Sequence, residues 1–330
     1  MLLGDELIEF HPTIGKRLRP GIECVLTNPE QGEYVLQANN YGFRCNRDFS
    51  PSKKSDIRRV LIFGDSFAFG NGVSNEMRFT DVLENLIPGI EIYNFAMEGF
   101  ALDQQYLCYK EMGIEFEHDL VIIAPAIETI RKLTAHYEFT LDEHHVQRCY
   151  AKPYFDLVDG KLVRGNVPLS GGFINIEDLP KDEKKKVNQG DPFAGVGNVL
   201  EKVHLKDAVL GTFRYQPFPE YDDPGTPAWQ IMHAILTEWV SCSQKPVLVI
   251  PLPRFIYVKG LASAKNYQAR FQETADKIGY SLYDPLPELL SIPIEQRRKL
   301  FFLEGHLTPR GHEYMAKIVA PHVQDILQNL

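Results

Sequence analysis

From Arg58 onward, short apolar runs alternate with longer segments of helical period, and this alternation restricts the possible folds more than any other feature of the chain. VLIFG, IEIYNF, DLVIIAPA, KPVLVIPLP and YSLYD read as five strands. FTDVLENLI, LDQQYLCYKEM, PAWQIMHAILTEWVSC and a stretch near residues 263–278 read as the helices between them. Strands that alternate with helices run parallel and are joined by right-handed crossovers, so the expected fold is α/β, a three-layer α/β/α sandwich around a mostly parallel five-stranded sheet. A last helix is expected in TPRGHEYMAKIVAPHVQDIL, with Thr308 placed to cap it and Pro309 at its first position.

Two regions break the rhythm. Residues 1–57 are rich in turn formers, including Pro12, Pro20, Gly21, Pro29 and Gly32, and end in the polar run SPSKKSDI; they are expected to form an N-terminal extension packed on the later core. The second break, at about 135–227, interrupts the domain that spans residues 58–330 and reads as an insertion that caps the site. Within it YFDLVDGKLV predicts a hairpin around Asp159-Gly160, and LPKDEKKKVNQGD a solvated stretch.

Charge and cysteine content limit the partners. A balance of 35 Lys+Arg against 44 Asp+Glu, net −9, argues against an electrostatic grip on nucleic acid or on an anionic membrane surface. The expected partner is a small molecule, a neutral polymer or another protein. Cys24, Cys45, Cys108, Cys149 and Cys242 are scattered without CxxC spacing, which indicates neither a disulfide framework nor a cysteine zinc site. The start, MLLGDELIEFHP, carries acids where a signal peptide needs positive charge, and no apolar run approaches the roughly 20 residues of a membrane span, so the expected location is cytoplasmic.

In an open parallel sheet ligands bind beyond the carboxyl ends of the strands, which draws attention to Gly64-Asp65-Ser66 after VLIF. Ser66 either caps the next helix or is a nucleophile, and a nucleophilic serine needs a base that a third group orients. Of ten histidines, His306 in LEGHLTPRGHEY is the best candidate, with Glu304 two residues earlier able to meet its other ring nitrogen. His312, inside the last helix, reads as a packing or surface residue. Asp65 reads as a hydrogen-bonding group rather than as the orienting acid, because adjacent side chains point apart. DEHH at 142–145, with His136 upstream, lacks the spacing of a zinc site, and no metal is expected. Arg254, after VIPLP, either clamps a carboxylate or phosphate of a substrate or forms a surface salt bridge, and Arg131 has the same two readings. TFRYQPFPEY at 212–221 either lines a sugar cleft or fills core.

GDSFAFG ending the first buried strand, NFAMEG after the second and EGHLTPRGH before the last helix together resemble the SGNH, or GDSL, hydrolase superfamily. The resemblance covers roughly Arg58–Thr134 and Trp229–Leu330, and NYGFR at 40–44 resembles an extension that some bacterial members carry. It implies the flavodoxin-like sandwich of that family, with Ser66 as nucleophile, His306 as general base and then general acid, and Glu304 in place of the family's Asp. The backbone N–H groups of Ser66 and Gly99 would be oxyanion donors. The family's third-block Asn is missing from DLVIIAPAIETIRKL, where Thr129 is the remaining weaker donor and an ionised Glu128 would repel an oxyanion. With Gly99 and Thr129, Asp65 and Arg254 complete the residues expected on the oxyanion and substrate side.

The implied function is a serine esterase, needing no cofactor, that removes or transfers a small acyl group on a hydroxylated substrate through an acyl-serine intermediate. A carbohydrate ester as substrate rests on the resemblance alone. Two alternatives stay open: a non-catalytic binding module on a degenerate scaffold, and a biosynthetic acyltransferase.

Overall fold

The computed structural model describes residues 6–141, 147–187 and 215–330. Its centre is a five-stranded parallel sheet of β5 (Arg58–Gly64), β6 (Ile90–Asn94), β7 (Leu120–Ala124), β12 (Val247–Val249) and β13 (Ser281–Leu282), in the order β13-β12-β7-β5-β6. β7 is buried at every residue and β5 at all but its first, which is why both read as unbroken apolar runs rather than as alternation. The YSLYD segment pairs over two residues, continued by the Tyr283 N–H donating to the Val249 carbonyl at 3.0 Å.

The chain steps from β5 to β6 in one direction and from β6 through β7, β12 and β13 in the other. Right-handed crossovers therefore place helices on both faces and leave a switch point at the carboxyl end of β5. The main helices are α1 (Ser66–Phe69), α2 (Phe79–Leu86), α3 (Leu102–Glu111), α4 (Pro227–Ser243), α5 (Lys265–Ile278) and α6 (Pro309–Gln328). α2 packs with α6, while α3, α4 and α5 form the other layer. Phe63 on β5 sits in the middle of that second interface, stacked on Phe95 at 5.1 Å and edge-on to Tyr109 and Trp239. No helix among the described residues is long and apolar enough to cross a membrane.

Four strands precede the sheet: the hairpins β1 (Ile8–His11) with β2 (Gly15–Leu18) and β3 (Glu23–Asn28) with β4 (Gly32–Gln37). Leu7, Ile14, Leu18, Leu36 and Phe43 from this region belong to the same apolar cluster as the sheet. The anchor is Arg44, the last residue of NYGFR, only 1% exposed. Its guanidinium donates to the carbonyls of Phe69 (3.1 Å), Gly70 (2.6 Å), Val35 (3.4 Å) and Val73 and to Asn75 Oδ1 (2.6 Å).

Between β7 and α4 lie β8 (Tyr137–Leu141) with β9 (Gln147–Ala151) and β10 (Tyr154–Val158) with β11 (Lys161–Gly165). The second hairpin turns at Asp159 and Gly160, with φ of 52° and 74°, the two left-handed residues of a tight turn that suits strand twist. Lys152 ties this region to α3 by donating to Asp103 Oδ2, both side chains being fully buried. DEHH at 142–145 and residues 188–214, which include part of LPKDEKKKVNQGD and of TFRYQPFPEY, lie outside the described residues.

α6 carries His312 into the core, where Nδ1 accepts the Phe79 N–H at 3.1 Å and so satisfies one orphan donor at the start of α2. Burial, then the charges of Arg44 and Arg78, push its pKa down to about 3. An unfolded His takes up a proton near pH 6.5, which folded His312 refuses until far lower pH, so this group removes stability as pH falls from 6.5 towards 3. The slope is about 1.4 kcal/mol per pH unit. Urea unfolding at pH 6.5, 5.5 and 4.5 is expected to show a shallower pH dependence in His312→Gln than in the parent; equal slopes would contradict the assignment.

Candidate active site

β5 ends at Gly64, where an added Cβ would meet Ala68 Cβ at 2.6 Å and the Ala124 carbonyl at 3.0 Å. Only glycine lets α1 fold back this closely over the strand end. Asp65 then caps α1: one carboxylate oxygen accepts the Phe67 N–H at 3.0 Å and the other accepts the Ala126 N–H at 2.6 Å, from the turn after β7. The carboxyl is 2% exposed, and burial pushes its pKa up to about 6. Both oxygens are therefore spent on backbone, and Asp65 is not the substrate-side group anticipated above; it fixes the ends of β5 and β7 to one another.

Ser66 is half-buried at the start of α1, and its hydroxyl meets His306 from the far end of the chain: Oγ to Nε2 is 2.8 Å. His306 sits in a turned loop, closed by Gly305 N–H to Phe302 O at 3.0 Å and Phe302 N–H to His306 O at 2.8 Å. α6 follows, capped by Thr308 Oγ1, which accepts the Gly311 N–H at 3.1 Å. Glu304 Oε2 reaches His306 Nδ1 at 2.9 Å and accepts the His306 backbone N–H at 2.7 Å. Partial burial would raise the Glu304 carboxyl, but the hydrogen bonds and charge of His306 outweigh it and hold the group below its usual range. The structure thus brings Ser66, His306 and Glu304 into one hydrogen-bonded chain.

Gly99 lies in the loop after β6, beside the Ser66 turn, because the Met97 N–H donates to the Gly64 carbonyl at 3.3 Å. Its φ of +83° is strained for any other residue, and its carbonyl accepts from Lys132 Nζ at 2.8 Å. Among the described residues neither the Ser66 nor the Gly99 backbone N–H has a protein acceptor. Asn94, at the head of NFAMEG, is buried and occupied by the Ala68 carbonyl, Thr80 Oγ1 and the Ala96 N–H.

Thr129 departs from the expectation. It is 4% exposed and its hydroxyl donates to the Ala126 carbonyl at 2.8 Å, so its single proton serves the 3-10 turn after β7 and is not offered to an oxyanion. Arg254 does stand at the carboxyl end of the sheet, where it pairs with Glu128 at 2.5 Å. Arg131 pairs with Glu220 at 3.3 Å and lies over the Phe218 ring, binding the 217–220 segment to the core. Three neighbours escaped the sequence reading. Asn71 donates to Glu98 Oε1 at 2.9 Å, Lys132 holds Gly99, and Lys16 stands over Gly99, its Nζ 3.1 Å from where a Cβ would lie. Only the Asn-Gly after GDSFAFG gives a local signal, as a turn; the rest is tertiary.

Neither a model of a protein family nor a curated protein matches the chain. Solved structures similar to it include a lipolytic protein of the G-D-S-L family from Veillonella parvula, 11% identical over 80% of this chain and 96% of that one, TM-score 0.42. Another is a lipase/acylhydrolase from Enterococcus faecalis, 12% identical over 82% and 96%, TM-score 0.41. A third is a psychrotrophic esterase from Pseudoalteromonas sp., 11% identical over 82% and 97%, TM-score 0.40.

Proposed function

We propose that the chain is a serine esterase of the SGNH type that acts through an acyl-Ser66 intermediate. The observation that carries this reading is the continuous chain from Ser66 Oγ to His306 Nε2 (2.8 Å) and from His306 Nδ1 to Glu304 Oε2 (2.9 Å) at the switch point of the sheet. Ser66 Oγ attacks the ester carbonyl while His306 takes its proton. His306 then returns that proton to the departing alcohol as the C–O bond breaks, leaving the acyl group on Ser66. Water attacks next, gives a proton to His306, and the serine recovers it as the acid leaves. Glu304 holds the imidazole in the tautomer with Nδ1 protonated and stabilises the imidazolium formed in each half.

The free N–H groups of Ser66 and Gly99 are the two donors for the oxyanion. Among the described residues of the segment after β7 no third side-chain donor is offered, since Thr129 is committed to the Ala126 carbonyl and Glu128 is paired with Arg254. Loss of one such donor costs about 100- to 1000-fold in turnover, so the reading is of a slow esterase. A small acyl group on a hydroxylated substrate, a carbohydrate in the first instance, is the proposed substrate class.

The test is reaction with a fluorophosphonate probe followed by mass analysis, beside hydrolysis of 4-nitrophenyl acetate with and without methanol as acceptor. Labelling at Ser66 with turnover is the expected result, and methyl acetate formed in preference to acetic acid would shift the reading to acyl transfer. An unlabelled serine and a rate equal to the blank would remove the enzymatic reading and leave a binding module.

A further inference from the structure

Beside Gly99 lies a cavity of about 330 Å³ whose walls come from outside the sandwich: Phe10 and Lys16 of the β1–β2 hairpin, Phe139 and Tyr150 of β8–β9, and Phe173 of the loop that follows β11. Its inner wall is Glu98, 7% exposed, whose partner Asn71 donates its backbone N–H to the Ser66 carbonyl at 3.2 Å. Glu98 and Asn71 thus link the cavity wall by hydrogen bonds to the turn that carries Ser66. The cavity's volume lies in the range of small-molecule sites.

The lining has a definite chemistry. Phe10 and Phe173 stand at 48% and 51% exposure, and large aromatic faces left open beside a cavity favour the flat apolar face of a ring. The acids there are engaged, Glu9 by Arg17 at 2.7 Å and Glu98 by Asn71 at 2.9 Å. Lys16 has no carboxylate within ion-pair distance among the described residues; its ammonium lies 5.9 Å over the Tyr150 ring and faces Gly99. The buried Glu138 carboxyl also stands there, held below its usual range against burial by the charges of Lys16, Lys132 and Lys152 together. In a protein of net charge −9, a half-buried cation held open to a cavity is a local attractor for an anion.

We infer that this cavity is the subsite for the part of the ester beyond its carbonyl, and that it takes a ring bearing a negative charge, the ring against Phe10, Tyr150 and Phe173 and the charge on Lys16. The ester chemistry rests on the function proposed above; the anion and ring recognition rests on the cavity alone. An aromatic carboxylate and a uronic acid share this chemistry, and the test separates them.

Two matched pairs of acetate esters serve: phenyl acetate against 4-acetoxybenzoate, and acetylated methyl galactoside against the corresponding acetylated galacturonate. The expected result is a preference of about tenfold or more in kcat/KM for the charged member of at least one pair, carried by KM, and its collapse to near unity in Lys16→Gln. Whichever pair shows the preference identifies the ring. Equal rates within both pairs, or a preference that survives Lys16→Gln, would overturn the inference. If no ester is turned over, the esterase reading falls and the subsite is still tested by calorimetric binding of 4-hydroxybenzoate and galacturonate to the parent and Lys16→Gln. Binding in the parent at least tenfold tighter than in the variant sustains the subsite, and no difference overturns it.

Discussion

Ser66→Ala, His306→Ala and the double variant are expected to lose the same activity, about 10⁴- to 10⁶-fold in kcat on 4-nitrophenyl acetate. Ser66 Oγ and His306 Nε2 are 2.8 Å apart and in the proposed mechanism share one proton, so removal of either would leave the other without a reaction to catalyse. A base without its nucleophile and a nucleophile without its base are equally idle. Single-turnover kinetics on the three variants checks the point, and a double variant tenfold slower than either single would show that the two residues work independently.

The second large effect is on stability. Arg44→Met is expected to cost about 3–5 kcal/mol, the usual consequence of removing one side of a buried charged network. The guanidinium, which burial and the neighbouring Arg78 pull down to about 9, is the partner of four backbone carbonyls and of Asn75 Oδ1. Each acceptor left dry costs about 1–3 kcal/mol, and methionine can fill the volume but satisfies none of them. Arg44→Lys is expected to recover only part of the loss, because one ammonium cannot span a fork of contacts. Urea midpoints measure both. A loss below about 1 kcal/mol for Arg44→Met would mean that water replaces the guanidinium without penalty. Two of the carbonyls, Phe69 and Gly70, end the helix that begins with Ser66, so surviving Arg44→Met protein is also expected to turn over more slowly.

The strands of the sheet were legible because burial on both faces writes itself as continuous apolar sequence, and helices such as α2 and α6 because one-sided burial writes itself as a period of 3.6. The Ser66–His306–Glu304 chain was legible because each residue sits at an element boundary that the sequence marks: Gly64 before the first helix, and Thr308-Pro309 before the last. Thr129 misled for a local reason. A threonine early in a helical turn can return its proton to a carbonyl three residues back, and Ala126 receives it. Asp65 was half legible, since its capping of Phe67 is local whereas its bond to Ala126 spans 61 residues. The grouping of Lys16, Glu98 and Lys132 around Gly99 had no signal at all. Those residues come from a hairpin, a loop and a 3-10 turn whose meeting depends on how three separate pieces pack.

The Ser66–His306 contact joins residues 240 positions apart. Domains form as the chain leaves the ribosome, amino end first, and the sheet strands β5, β6 and β7 together with the hairpins before them are complete well before the His306 loop has been made. The His306 loop reaches Ser66 only through the last helix, which packs on α2. A chain that ends before His306 therefore lacks one half of the pair, whatever else of the sheet it has folded.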